Sequence, residues 1–543
     1  MPKAAVRMSL VVAALAGMAY VPSGLPAALG ETEIVELTLQ SAQDSLRSGR
    51  YTSRQLVETS LARIATYNPG YNAIITPNPD ALREADEVDR RRASGEVLGP
   101  LAGIPVVVKD TIDIAGLPTT AGWAPLSSRA GGVDLIPARD APVVERLRAA
   151  GAVILGKTNL PAFALSADNA NDSWAGPTYN VAAPARAPGG SSSGTASAVA
   201  ASFALLGLGT ETGGSIQCPA ANQALVGIKP TFGLVPNSGV LPLAGSTRDV
   251  VGPIARNVRD AAIALDVLAG YTPADPKTAA AIGKLPAGGY SAELESASLR
   301  GKRLGTFGPG WLATSLSADT QRLYDKVLGD LTQQGAILVD DPFAGSDFAS
   351  IATLTGEWRY DARGEDAVVF DLQQYLAAVG ENSPMRSIAD LVKLTGQDPF
   401  SRDGLFGYLY DYPAFVASLA APSEPPDLHD FLSARNRYLE TFSDVMDRHR
   451  LDALVFPQSI AEPPLLHSEE FGYQTTVSQI NIGGFPAIIV PAGNYPSGTP
   501  FAAIFVGRLW DEARLLGLAF AYEQQTHMRR APVLVLNPAE LGR

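Results

Sequence analysis

The sequence predicts an α/β domain, a sheet with helices on both of its faces. Short apolar runs such as Ile104 to Val108 and Ala152 to Leu155 have the length and composition of buried strands. They alternate along the chain with helical segments, the pattern that places helices over a sheet. The third observation is bulk: 46% of the 543 residues are hydrophobic, which supplies the core of one large domain or of two to three ordinary ones.

Leu37 to Asn68 predicts two short helices; Thr52 and Ser53 can cap the second, and Leu56, Val57, Leu61 and Ile64 make its apolar face. The strand Ile104 to Val108 ends in a lysine, Lys109. Val144 to Ala150 is helical and leads into the strand Ala152 to Leu155. Ser191 to Phe203 is a helix of small residues that opens just after Gly189-Gly190, and Leu205 to Gly209 runs into a second glycine turn. Lys302 to Thr306, Ile337 to Val339, Ala453 to Phe456, Ala487 to Val490 and Ala503 to Val506 are strands. Ala318 to Gln334, Phe431 to Arg448 and Asp511 to Gln525 are helices. Residues 340 to 450 carry the weakest pattern. They hold an aromatic cluster, Phe406, Tyr408, Tyr410, Tyr412 and Phe415, more in keeping with packing than with a substrate wall.

A formal net charge of -13 argues against nucleic acid as a partner, because phosphate neutralisation needs a basic face. The N-terminus has the pattern of a secretory signal. Lys3 and Arg7 precede the apolar segment Met8 to Val21, and Ala28-Leu29-Gly30 offers small residues before a cut at Glu31. The expected division is therefore a signal peptide over 1–30 and a mature chain over 31–543, secreted or periplasmic. Loss of Lys3 and Arg7 takes the charge from -13 to -15. The apolar run is too short for a comfortable membrane span, so none is expected in the mature chain. The single cysteine, Cys218, permits no intramolecular disulfide. The four histidines all lie at or after His429, in no metal-binding pattern, so neither a metal nor a cofactor is expected.

Three local motifs could carry chemistry. Gly151-Ala-Val-Ile-Leu-Gly156-Lys157-Thr158 matches a phosphate loop letter by letter, but its intervening residues form a strand rather than a turn with free N–H groups. Gly190-Ser-Ser192-Ser-Gly194 fits a nucleophile elbow, yet no strand precedes it, since Val181 to Pro188 contains two prolines. The third motif is Lys109 together with two serines, Ser191 and Ser215, each just after a Gly-Gly pair and 24 positions apart. A neutral lysine can serve as base for a serine nucleophile if burial depresses its pKa, so these are parts of a serine hydrolase that needs no histidine.

These residues resemble the amidase signature family. The resemblance is carried, in order, by Gly103 to Asp113, Ala150 to Ala164, Pro188 to Gly194, Gly209 to Pro219 and Ile482 to Gly493, and it covers most of the mature chain. It implies a single large domain with a mixed central sheet flanked by helices. It also implies amide C–N hydrolysis through an acyl-enzyme on Ser215, with release of ammonia or an amine. Position by position, Lys109 resembles the catalytic lysine, and Ser191 the middle serine that the family holds after a cis peptide bond. The backbone N–H groups of Thr212, Gly213, Gly214 and Ser215 resemble the oxyanion hole. The expected partner is a small-molecule or peptide-like amide, and the oligomeric state is not legible.

The family also contains ester, urethane and nylon-oligomer hydrolases, and the glutaminase subunit of tRNA-dependent amidotransferases. A signal-like N-terminus argues against the last, and the intact Lys109, Ser191 and Ser215 argue against an idle binding scaffold. Two departures from the family pattern stand out. Gln217 replaces the arginine that many members carry after Gly-Gly-Ser-Ile, and Gly-Ser-Ile-x-Cys-Pro is similar to the peptide amidase branch. Ser193 stands where a glycine is usual. Pocket walls are expected from residues 340–450 and from loops near Ala164 to Asn180.

Overall fold

A computed structural model describes residues 30–292, 294–353, 361–381 and 383–540. The expected signal peptide, 1–30, lies outside the described residues but for Gly30.

The strands are β1 (Ile74–Pro77), β2 (Pro105–Lys109), β3 (Val153–Thr158), β4 (Leu206–Glu211), β5 (Val226–Lys229), β6 (Val250–Ala255), β7 (Arg303–Thr306), β8 (Ile337–Val339), β9 (Ala453–Pro457), β10 (Ala487–Asn494) and β11 (Pro500–Val506). They form one sheet in the order β1-β3-β2-β4-β6-β5-β10-β11-β9-β7-β8. The sheet is mixed: β3, β2 and β4 run parallel, as do β9, β7 and β8, and the strands between are antiparallel.

Side chains alternate across a strand, and β2 shows the consequence. Val106 and Val108 enter one core with Ile154, Leu206 and Leu208, while Val107 enters the opposite core with Val153 and Leu155. The first core is roofed by helices Leu39–Arg47, Pro142–Ala149, Val258–Leu268, Ala318–Gln333 and Glu512–Thr526. The second is covered by Ala81–Ala93, Ser193–Ala200 and His429–Arg448. Both faces of the sheet are thus buried within a single large domain, as strands with no polar face require. A third cluster joins Trp123 and Phe163 to the segment 368–415.

Most predicted elements are present with ends shifted by a few residues. Thr52 caps the helix Ser53–Tyr71 through a reciprocal bond with Gln55, and that helix is longer than expected. The small-residue helix starts at Ser193, two residues later than predicted, leaving Ser191 and Ser192 in the turn before it. Of the aromatic cluster, Phe406 and Phe415 are buried packing, with Phe406 edge-on to Phe163 and Phe415 near Phe400 and Tyr410, while Tyr408 is exposed.

Candidate active site

β2 and β4 are adjacent parallel strands, so their C-terminal ends lie side by side at one edge of the sheet. Lys109 ends β2 and is fully buried. Its Nζ lies 2.7 Å from Ser191 Oγ, 2.8 Å from Thr210 Oγ1 and 3.4 Å from Thr210 O. Burial pushes the amine from its ordinary 10.5 down to about 7, against the opposing pull of the Asp249 and Glu211 carboxylates. These partners suit both protonation states. A neutral amine donates to the two Thr210 oxygens and accepts from the Ser191 hydroxyl; an ammonium donates to all three.

Ser191 follows a cis Gly190–Ser191 peptide bond and is fully buried. The two preceding glycines are required by close approach. A Cβ at Gly189 would lie 2.5 Å from the Pro219 backbone, and one at Gly190 would lie 2.5 Å from Ser166 O. Ser192, the residue of the elbow-like motif, serves structure: its hydroxyl exchanges bonds of 3.3 Å with Thr210 O and N–H. Its own N–H donates to Ser215 O at 3.3 Å, tying the two serine turns together.

Ser215 stands between the end of β4 and the helix Gln217–Asn222, with only 6% of its surface exposed. Among the described residues, the N–H groups of Thr212, Gly213, Gly214 and Ser215 donate to no protein acceptor. The Glu211 carboxylate organises this turn. It accepts from the N–H groups of Ile216 and Gln217 at 2.9 and 3.1 Å, from Asn481 Nδ2 at 3.0 Å, and from the Gln217 amide. Gln217 is fully buried, and Thr476 Oγ1 donates to its Oε1 at 2.7 Å. The Gln217 amide is thus held from both sides, by Glu211 and by Thr476. The Thr212 hydroxyl donates to Asp249, whose other oxygen accepts the N–H groups of Leu243 and Ala244 at 2.9 Å each.

Cys218 is a buried thiol, its pKa pushed well up by burial, which fits packing rather than nucleophilic chemistry. Lys157, the lysine of the phosphate-loop match, is a β3 residue held 2.8 Å from Asp110 and bonded to Pro118 O and Thr119 Oγ1. It braces the end of β2 from the other side and is fully buried. No group of His, Cys, Asp or Glu among the described residues could hold a metal ion.

The residues that the sequence singles out, Lys109, Ser191, Ser215 and the turn Thr212–Gly214, lie together where β2 and β4 end. Sequence analysis did not single out Thr210, Glu211 and Asp249, nor Gln474, whose Nε2 lies 3.2 Å from Cys218 Sγ. Thr210 and Glu211 lie inside the glycine-rich stretch, where a carboxylate six residues ahead of the helix start at Gln217 was the available signal. Asp249 and Gln474 reach the site from distant segments and left none.

A family model described as Amidase matches residues 55–516. The chain belongs to the amidase family. It is a hydrolase acting on carboxylic amide C–N bonds. It is 34% identical to a probable amidase of Arabidopsis thaliana over 517 residues, 92% of each chain. It is also 34% identical to a glutamyl-tRNA(Gln) amidotransferase subunit of Chloroflexus aurantiacus, over 93% of this chain and all of that one. Among solved structures, the peptide amidase of Stenotrophomonas maltophilia superposes with a TM-score of 0.75 at 33% identity, covering 92% of this chain and 99% of that one. That similarity accords with the branch to which Gly-Ser-Ile-x-Cys-Pro points.

Proposed function

We propose that this amidase works through an acyl-enzyme on Ser215, with Ser191 and Lys109 as its proton relay. The observation that carries this is the buried Lys109 amine, bonded to Ser191 Oγ and poised near neutrality, beside a turn of uncommitted N–H donors ending in Ser215. Neutral Lys109 accepts the Ser191 proton as Ser191 Oγ takes the proton of Ser215. Ser215 Oγ then bonds to the substrate carbonyl carbon. The N–H groups at 212–215 receive the oxyanion; one such donor is worth about 3–4 kcal/mol of barrier. The proton held on Lys109 returns through Ser191 to the leaving nitrogen as the C–N bond breaks, and ammonia or an amine departs. Water hydrolyses the acyl-serine along the same path, so amide plus water gives acid plus amine.

The test is a panel given to the wild type and to Ser215→Ala: a short aliphatic amide, an aryl anilide, a C-terminally amidated peptide, a urethane, an ester and L-glutamine. Amide turnover that falls by about 10³-fold or more in Ser215→Ala is expected. Intact-mass analysis should find the acyl group of a slow substrate on the Ser215 peptide. Full turnover by Ser215→Ala overturns the mechanism. Turnover of glutamine alone would favour the role of its amidotransferase relative; faster ester or urethane turnover would move the substrate class.

Export as a secreted or periplasmic enzyme is part of the proposal, supported by Lys3, Arg7, the apolar run and the Ala28-Leu29-Gly30 cut. No helix among the described residues is long and apolar enough to cross a membrane. A mature N-terminus near residue 31 in exported protein is the expected mass; an intact N-terminus overturns cleavage.

A further inference from the structure

Asp168 is a buried carboxylate that the mechanism above does not use. Only 4% of its surface is exposed, and both its oxygens lie 3.2 Å from a single donor, the Gly472 N–H. No lysine or arginine among the described residues comes within ion-pair distance of it, whereas buried Asp110 has Lys157, and buried Asp113 accepts from the Thr119 and Tyr375 hydroxyls. Burial raises the Asp168 carboxyl to about 6, opposed only by that one N–H. A carboxylate desolvated to this degree gains most from a cation brought to it.

Its position ties it to both serine turns. The Gly190 N–H donates to Ala167 O at 2.7 Å, so the segment carrying Asp168 lies against the cis peptide. On the other side, Gln474 Nε2 donates to Gly472 O at 3.1 Å and sits 3.2 Å from Cys218 Sγ. Gln474 Oε1 would be 3.4 Å from a Cβ at Gly214. Asp168 thus links one segment packed on Gly190 to another packed on Gly214. The loop holding its single donor also bears Phe471 and Tyr473, which are 71% and 66% exposed. Two exposed rings therefore flank the residue whose N–H meets the carboxylate.

We infer that Asp168 is a specificity residue: it accepts a protonated amine carried by the substrate near the scissile carbonyl, so that the preferred substrates are unblocked, amine-bearing amides. The inference rests on the amidase reading and narrows its substrate class. The cation would supply the charge partner that the fold withholds, and the exposed aromatic pair would lie against the substrate's apolar part.

The test compares L-leucinamide with N-acetyl-L-leucinamide at neutral pH, by kcat/KM, for the wild type, Asp168→Asn and Asp168→Glu. The wild type is expected to favour the free amine. Asp168→Asn should lower the ratio of the two kcat/KM values by about tenfold or more, through KM, and Asp168→Glu should restore part of it. A purely structural role would change both substrates together and leave the ratio fixed. An unchanged ratio in Asp168→Asn overturns the inference. So does a wild type that treats the two amides equally or favours the acetylated one, a result that needs no variant to fold. Turnover that is lost in Ser215→Ala but shows no such preference counts against Asp168 alone. Absence of any Ser215-dependent turnover of either amide counts against the mechanism as well.

Discussion

Hydrolysis of a neutral amide should rise with pH along one ionisation near 7 and level off above it. The base must be neutral, and Lys109 is held at about 7 by burial rather than at its ordinary 10.5. An ordinary lysine would be neutral in only about one molecule in 3,000 at pH 7, against about half here, so the site raises the working population by about 10³. Activity is therefore lost as pH falls, to about a tenth of the plateau at pH 6 and about a hundredth at pH 5. The assay is kcat/KM for an N-acetylated amide between about pH 5 and 10, a substrate that does not itself titrate and does not engage Asp168. A profile flat from pH 5 to 8, or one still climbing tenfold per unit near pH 10, would refute Lys109 as the base.

The same shift has a stability counterpart. Between about 7 and 10.5 the unfolded chain binds a proton at Lys109 that the folded chain does not, so stability from this group rises with pH across that window. Below the window, burial costs on the order of a few kcal/mol. Lys109→Met should therefore be inactive, and its melting temperature relative to wild type should be higher at pH 6.5 than at pH 10. A pH-independent difference would show that the amine is not shifted.

Asp249→Asn removes a negative charge that raises the Lys109 pKa, so the midpoint of the pH profile should move to lower pH; a midpoint unmoved or moved upward contradicts that. Gly214→Ala puts a Cβ 3.0 Å from Val477 Cγ2 at a residue with φ of +97°. Its kcat should drop by about 10²-fold with little change in KM, as measured by steady-state kinetics, because the N–H groups of the turn are displaced. Lys157→Met leaves Asp110 without its cation inside the domain, and denaturant unfolding should report a loss of about 3 kcal/mol or more. ATP should leave the melting temperature of the wild type unchanged.

The sequence by itself determined which residues are candidates to react. Lysine at the end of a valine run, and serines after Gly-Gly pairs, are local patterns fixed by strand burial and by turns in which backbone must pass close to backbone. Gly189 and Gly190 show why: Pro219 and Ser166 leave no room for a Cβ at either. Local pattern also placed β2, β3 and β7 as short apolar runs, and the Thr52-capped helix by its cap and its apolar residues Leu56, Val57, Leu61 and Ile64.

It did not reveal β6, where Gly252 and Pro253 interrupt the run and pairing with β4 supplies the strand. Nor did it reveal β5, whose Lys229 is buried because its Nζ donates to Phe485 O at 2.7 Å, from a segment 256 residues away. The helix Ala81–Ala93 was hidden because only Ala81, Ala85 and Val88 of it are buried, too narrow a stripe to stand out among its charges. Only the tertiary structure decided which groups meet Lys109, that Lys157 belongs to Asp110, and that no cation among the described residues reaches Asp168. Charge partners and desolvation are properties of what the fold brings together across hundreds of residues, and no local pattern in the chain encodes them.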